Sequence, residues 1–242
     1  MVSRMHKSLC GTLSFFLLTT ATLYAKDKIV YRATAYSKDR KKIYYYENHR
    51  EIWQNGKHIA SQVTYTDPKG KVIVKKRVDY SKSQTAPDFV TEDLRTGYME
   101  GATLLPPGKV KLYFRRDKSA KLESDILRIK TPLVLDAGFD RFIRLKWKEL
   151  QTGKKMRVFF AVPSRLTLLE FRLYKVKDTR YNGRSAVQYT LDLNNIFYRL
   201  FVKGFSLYYD KEKRRLLSFQ GISNLRDEEG DNYETIIDFD PW

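Results

Sequence analysis

Short segments in which apolar and polar residues alternate dominate this chain, and they restrict its fold more than any other feature. Alternation places every second side chain on one face, which is typical of antiparallel strands with one buried and one wetted face. Such segments occur at 72–80, 109–115, 155–162, 186–193, 205–209, 215–219 and 233–239. The pattern predicts a mainly β protein.

The turn residues between these segments indicate how the strands are connected. Asn55-Gly56 lies between Ile43–Gln54 and Lys57–Thr66, and Asn182-Gly183 lies between Leu166–Tyr181 and Arg184–Leu193. The Asn-Gly dipeptide supplies the positive φ values that a type I′ hairpin turn needs. Because sequential hairpins give a meander, we expect a curved antiparallel meander sheet or an open barrel.

One segment departs from the alternation. After Asp136, large apolar residues recur at intervals of three and four, which indicates an amphipathic helix. These residues are Phe139, Phe142, Ile143, Trp147 and Leu150. We expect one helix over about 136–152, with Asp136 as its N-cap and Gly153 at its end, packed on the sheet. A second short helix at Asn195–Lys203 is an alternative to a strand there.

The first 25 residues resemble an export signal. A basic start is followed by an apolar stretch of about a dozen residues and then by the small residue Ala25, in the order of a secretory signal peptide. The stretch is shorter than the roughly 20 residues of a membrane-spanning helix. We expect cleavage after Ala25, or alternatively after Ala21, and a periplasmic protein with no transmembrane span. The lone Cys10 precedes the apolar run, so it leaves with the signal, and residues 26–242 then form a single β-rich domain without cysteine.

The charge of the chain indicates an anionic partner. It carries 46 Lys and Arg against 28 Asp and Glu, a formal net charge of +18, which raises the local concentration of anions. An exported protein does not meet nucleic acid, so anionic lipids, lipopolysaccharide phosphates and acidic glycans are the expected partners. If three of the strands are neighbours, their polar faces form one basic surface, and we assign ligand binding to Lys109, Lys111, Arg115, Lys155 and Arg157, with Lys75 and Arg77 alongside. The alternative is that the strands are apart and that these charges are solvated.

Catalytic and metal-binding motifs are absent from the sequence. Outside the signal the chain has two histidines, His49 and His58, on either side of the Asn55-Gly56 turn, where they could face each other across the strands. Their spacing matches no metal site, and no serine lies in a nucleophile turn. We therefore predict no metal, no cofactor and no catalytic residue. Paired carboxylates could still support a hydrolase, and the candidates are Asp79, Asp88, Asp93 and Glu100.

Three stretches resemble an uncharacterised family of exported proteobacterial proteins. They are Gly138–Arg144 with Trp147, Val162–Arg165, and Tyr209–Asn224. The resemblance extends over most of the chain after the signal, and it implies no activity and no catalytic residue. More loosely, a curved sheet with a helix is similar to the periplasmic lipoprotein-carrier and lipid-binding half-barrels, at the level of the fold alone.

These observations favour a non-enzymatic periplasmic protein that binds an amphipathic or anionic envelope component. A concave sheet lined with apolar side chains could hold acyl chains while cations at its rim meet phosphates. Two alternatives stay open. One is a hydrolase or transferase that acts on an envelope polymer through carboxylates, and the other is a scaffold for another envelope protein.

Overall fold

A computed structural model describes residues 26–193 and 204–240 and shows a mainly β fold. Its strands are β1 (Lys26–Ser37), β2 (Ile43–Gln54), β3 (Lys57–Thr66), β4 (Val72–Asp79), β5 (Asp88–Asp93), β6 (Met99–Leu105), β7 (Lys109–Arg115), β8 (Glu123–Arg128), β9 (Leu133–Val134), β10 (Met156–Val162), β11 (Thr167–Tyr181), β12 (Arg184–Leu193), β13 (Phe205–Asp210), β14 (Leu216–Arg226) and β15 (Asn232–Phe239). The helices are α1 (Gly138–Leu145) and α2 (Trp147–Gln151), and a 3₁₀ turn spans Pro163–Arg165.

The described strands form one sheet of 15 strands in the order β8-β7-β6-β5-β4-β3-β2-β1-β15-β14-β13-β12-β11-β10-β9. Neighbours in this order are antiparallel, except that β9 runs parallel to β10. The strands β8 and β9 end the order and do not pair with each other. The predicted fold class, a mainly β protein with a curved antiparallel meander sheet or open barrel, is therefore confirmed.

The hairpin turns form where the Asn-Gly dipeptides predict them. Asn55 and Gly56 have φ values of 51° and 72°, and Asn182 and Gly183 have φ values of 46° and 78°. Both central residues of each turn are thus left-handed, as a type I′ turn requires. This turn matches the twist of the paired strands and fixes the register of β2 with β3 and of β11 with β12.

The sheet rolls up until one end packs against the concave side of the other. Along β10, Phe159 faces away from the side that carries Val158 and Phe160, because successive side chains alternate. Phe159 packs in an apolar cluster with residues of β4–β7, namely Val78, Phe89, Ala102, Val110 and Leu112. The 3₁₀ turn after β10 lies against β6 and β7. Apolar packing, and no strand pairing, therefore joins the two ends of the sheet.

The helical segment packs inside the roll as two short helices. Lys146, between α1 and α2, has φ −95° and ψ 11° and interrupts the predicted helix. The buried side chains Phe142, Ile143, Trp147 and Leu150 form one apolar cluster with β10–β13. Gly153 follows the second helix with φ 81°, as expected for a residue that ends a helix.

The start of α1 differs from the prediction. Ala137, and not Asp136, precedes the helix, and no side chain caps it. Asp136 has φ 41° and turns inward. Gly138 follows because a Cβ at this position would overlap the backbone oxygen of Thr85. The start of α1 is thus fixed closely against the segment between β4 and β5.

Two predictions lie outside the described residues: the signal peptide at 1–25 and the alternative helix at Asn195–Lys203. Neither helix in the described ranges is long and apolar enough to cross a lipid bilayer.

Candidate functional site

The hairpin β7–β8, at one end of the sheet order, carries a basic surface on its convex side. The apolar residues Val110 and Leu112 of β7 are fully buried, so the alternating residues face outward. The register pairs Lys109 with Arg128, Lys111 with Ile126 and Tyr113 with Ser124. We define the basic face as the four outward cations of this hairpin: Lys109, Lys111, Arg115 and Arg128.

The basic face contains no carboxylate. The acidic residues of β8, Glu123 and Asp125, pair with Phe114 and Leu112 and therefore belong to the opposite face. Lys109 and Arg128 are directly opposite each other, and both are exposed. Like charges in this position destabilise a strand pair. The arrangement therefore has a small energetic cost in the free protein, which a bound anion would remove.

Three uncharged side chains complete this surface: Tyr113, Ser124 and Ile126. Ile126 is 53% exposed although it is a large apolar residue. Tyr113 extends across the neighbouring strand and donates a hydrogen bond from its hydroxyl to the backbone oxygen of Phe89, 3.2 Å away. Gly101 lies opposite Tyr113, and a Cβ there would overlap the phenol group. The basic face is thus cationic with one exposed aliphatic side chain.

The structure separates the residues that the sequence analysis grouped together. Lys109, Lys111 and Arg115 share β7, whereas β5 and β6 separate β7 from β4, which carries Lys75 and Arg77. Between them lies Glu92, which is opposite Lys75 and 4.0 Å from the Arg77 guanidinium. The three strands are not hydrogen-bonded neighbours, which was the condition for one continuous surface.

Lys155 and Arg157 lie at the other end of the sheet order, on and just before β10. The ammonium of Lys155 is 5.1 Å from the centre of the Tyr174 ring. Arg157 is 3.8 Å from a carboxylate oxygen of Glu170. Its cross-strand partner Arg172 forms two hydrogen bonds with Asp192, at 2.9 and 3.0 Å. These cations therefore belong to a surface of mixed charge.

A second group of charges is enclosed by the sheet. Lys76 Nζ donates to Asp136 Oδ1 at 2.8 Å, and the side chains are 10% and 3% exposed. Burial opposes the charge of Lys76, but Asp136, Glu47 and Glu100 together raise its pKa. The other oxygen, Asp136 Oδ2, is buried and accepts no hydrogen bond within the described residues.

Glu100 lies in the same interior. It is two strands away from Lys76, with Thr91 between them. Burial raises the pKa of Glu100, and the hydrogen bond that the Tyr98 hydroxyl donates to it at 2.7 Å opposes this shift. The hydroxyl of Thr91 is buried without a hydrogen-bond partner among the described residues. These polar groups connect β4, β5, β6 and the start of α1.

Each of the other candidate carboxylates has a polar partner of its own, and Asp79 accepts a hydrogen bond from the backbone N–H of Ser81 at 2.8 Å. Asp79 and Asp88 are opposite each other on β4 and β5, and Lys82 binds Asp88 at 2.6 Å. Asp93 accepts two hydrogen bonds from the guanidinium of Arg95, at 2.6 and 3.1 Å. These contacts give each carboxylate a structural role as an ion-pair or turn partner.

The two histidines are not opposite each other. His49 stacks on Tyr31 with ring centres 4.4 Å apart and lies 2.7 Å from Glu47, while His58 is opposite Trp53. His58 Nε2 is 2.9 Å from both the Ala60 carbonyl oxygen and the Ser61 hydroxyl.

The contact with the Ala60 carbonyl oxygen determines the tautomer of His58. A carbonyl only accepts, so Nε2 carries the proton and donates, and in this tautomer it is not a base for Ser61. Burial lowers the pKa of His58. Within the described ranges, no group of three or more His, Cys, Asp or Glu side chains is arranged to hold a metal ion.

The described interior offers little room for a ligand. An apolar cavity of about 10 Å³ lies beside α1, between Phe142, Val158 and Leu173. A second cavity of about 10 Å³ lies at the β13–β14 turn, next to Arg215 and Asp240. Each has room for about one water molecule and is far below the roughly 300–1,000 Å³ of typical small-molecule sites.

Arg128 and Ile126 were missed in the sequence analysis, although the sequence contains a signal for them. Ser124, Ile126 and Arg128 alternate with Glu123, Asp125 and Leu127. Alternation alone therefore places Arg128 and Ile126 on one face and the two acids on the other. This face could not be identified as the outward one before β8 was paired with β7.

The fold and the site define a rolled, open β-sheet protein with a basic outward face at one edge. No known protein family has a sequence profile that matches the chain, and no curated protein matches it either. Among solved structures, a β-barrel-like protein of domain of unknown function DUF1849 from Brucella abortus is similar over 87% of this chain and 94% of that chain, with a TM-score of 0.40 and 9% sequence identity.

Proposed function

We propose that this protein is a non-enzymatic periplasmic protein that binds an anionic component of the cell envelope through the basic face. The observation that carries the proposal is the pairing of Lys109 with Arg128 on a face of two strands that has no carboxylate. Two exposed cations held opposite each other repel, and an anion bound between them attracts both and offsets this repulsion.

The surface is a better candidate than the interior for this binding. The apolar cavity beside α1 measures about 10 Å³, too little for an acyl chain. The enclosed charges, Lys76 and Asp136, already neutralise each other at 2.8 Å. Lys109 and Lys111, by contrast, make no ion pair with any described residue, so both remain available to a ligand.

Binding of a soluble polyanion tests the proposal. Long-chain inorganic polyphosphate is titrated into the wild type and into the double variant Lys109→Glu/Lys111→Glu. Each cation near an anionic surface contributes about 1 kcal/mol, so we expect the affinity to fall about 30-fold or more. Raising the salt concentration should weaken the wild-type binding, because salt screens exposed charges.

A matched variant separates a site from net charge. Lys69→Glu/Lys71→Glu changes the charge by the same amount in the β3–β4 turn, where both lysines are exposed and make no ion pair with a described residue. We expect this control to bind nearly as well as the wild type. Equal losses in the two variants would contradict a binding site, and so would a wild type that does not bind polyphosphate at low salt.

Export is a separate part of the proposal. It is supported by the basic, apolar and small residues of 1–25 and by the absence of cysteine from residue 26 onward. N-terminal sequencing of the protein from a periplasmic extract should find a chain that begins at or near Lys26. A chain that keeps Met1 and stays in the cytoplasm would exclude this localisation.

A further inference from the structure

We infer that the basic face docks on an anionic phospholipid bilayer and that Ile126 enters the interfacial layer of the lipid. This inference rests on the proposed function and names its partner. It depends on the position of one apolar side chain relative to the cations around it.

Ile126 occupies the outward side of the last strand in the sheet order. It is directly opposite Lys111, and Arg128 follows two residues later on the same face. It is 53% exposed, and Leu122, just before β8, is 55% exposed. Proteins that bind at a membrane surface combine apolar side chains that enter the lipid boundary with Lys and Arg that are attracted to anionic lipids.

The edge position of β8 makes this side chain accessible to a flat surface. Among the described strands, β8 is paired on one side only, and residues 121–126 are all exposed. The acids Glu123 and Asp125 are directed to the other face, so they do not repel lipid phosphates from the outward face. An anionic surface can therefore meet Lys109, Lys111 and Arg128 together with Ile126, whereas Arg115 donates from Nε to the Gly97 carbonyl oxygen at 3.1 Å.

The apolar contact distinguishes a bilayer from a soluble polyanion. Polyphosphate or an acidic glycan offers charge and hydrogen-bonding groups to the cations, but it gives an isoleucine no apolar environment. A bilayer supplies both, because its phosphates lie just above the acyl chains. Loss of the aliphatic group should therefore weaken binding to vesicles alone.

The test compares wild type, Ile126→Ser and the control Val176→Ser on two ligands. Val176 is a suitable control because it is 48% exposed and lies on β11, far from β8 in the sheet order. The first ligand is vesicles of phosphatidylcholine with about 30% phosphatidylglycerol, which gives them an anionic surface. The second is inorganic polyphosphate. We expect Ile126→Ser to lower vesicle affinity about tenfold, to leave polyphosphate affinity unchanged, and Val176→Ser to alter neither.

The outcomes separate this inference from the proposed function. Wild-type protein that binds polyphosphate but not anionic vesicles overturns the bilayer inference and leaves an anionic glycan or a protein as the partner. Equal vesicle binding by Ile126→Ser and the wild type overturns it as well. Protein that binds neither ligand overturns both proposals.

A second variant gives an independent measurement. Ile126→Trp adds a fluorophore at the proposed contact, and its emission, taken as the difference from the wild type, should shift to shorter wavelength when anionic vesicles are added. Pure phosphatidylcholine vesicles should produce no shift. An unshifted spectrum with bound anionic vesicles would show that residue 126 stays in water and would overturn the inference.

Discussion

Lys76 and Asp136 form an ion pair of 2.8 Å inside the rolled sheet, although 60 positions separate them in the chain. Lys76 belongs to the middle of β4, and Asp136 precedes α1 with a left-handed φ of 41°. Asn224 also donates to the same carboxylate oxygen, at 3.3 Å. The pair therefore joins β4 to the start of the helical segment, with a further contact from β14.

Breaking this pair from one side should destabilise the protein. Lys76→Met leaves the Asp136 carboxylate buried without its cation, and removal of one partner from a buried pair typically costs about 3–5 kcal/mol. Urea unfolding measures the change. The double variant Lys76→Met/Asp136→Asn removes both charges and should recover most of the loss, since Asn tolerates the left-handed backbone at 136. A cost below about 1 kcal/mol for Lys76→Met would contradict the buried pair.

Replacement of Trp147 tests the packing of α2. Trp147 is 6% exposed and its ring meets the edges of Tyr189 and Tyr209. Trp147→Ala should lower the free energy of unfolding by about 3–5 kcal/mol, with a clear fall in melting temperature. Leu145→Ala is the control, because Leu145 lies just before α2 but is 65% exposed. Equal melting temperatures for the wild type and Trp147→Ala would mean that the helix does not pack on β12 and β13.

Glu100 should make the stability depend on pH. Burial raises its pKa above the ordinary value of 4.5, so the folded protein binds the proton more tightly than the unfolded chain. This contribution is fully present below about pH 4.5 and is lost as the pH rises through the folded-state pKa. The wild type should therefore lose stability relative to Glu100→Gln as the pH rises above about 4.5, as followed by thermal unfolding.

A second substitution checks the direction of this effect. Tyr98→Phe removes the hydrogen bond that lowers the pKa of Glu100. The loss of stability with rising pH should then be steeper than in the wild type. A Tyr98→Phe protein with a flatter profile than the wild type would show that the hydrogen bond acts in the opposite sense.

Local sequence signals predicted the strands and turns well where neighbouring residues decide the structure. The observed bounds of β2 and β3 match the predicted segments Ile43–Gln54 and Lys57–Thr66. The Asn-Gly turns determine them, because this dipeptide adopts positive φ values at little cost. β4 shows the limit of this approach: the pairing shifts register between Tyr65 and Thr66, which buries Ile73 and exposes Val72.

Contacts between distant parts of the chain were harder to predict. Lys76 occupies the apolar side of β4, between Val74 and Val78, and this interruption was the signal that it is buried. Its partner could not be found from the sequence, because Asp136 had an adequate local role as a helix cap. The packing of β9–β10 on β4–β7 likewise depends on how the whole sheet curves.

The candidate site was predictable in part. Alternation identified Lys109, Lys111 and Arg115 as one outward set within β7. Whether other strands lie beside β7 depends on the order of strands in the sheet, which alternation does not encode. For this reason Lys155 and Arg157 were grouped with β7 although they lie at the other end, whereas Arg128, on the neighbouring strand, was missed.

Hydrogen–deuterium exchange with and without polyphosphate shows whether the basic face is the binding site, because it locates the bound anion without any substitution. Amides at the open edge of β8 should exchange quickly in the free protein. We expect polyphosphate to slow exchange mainly within 109–128, the range that contains the basic face. Protection confined to β10 and β11, or bound polyphosphate with no protection at 109–128, would contradict it.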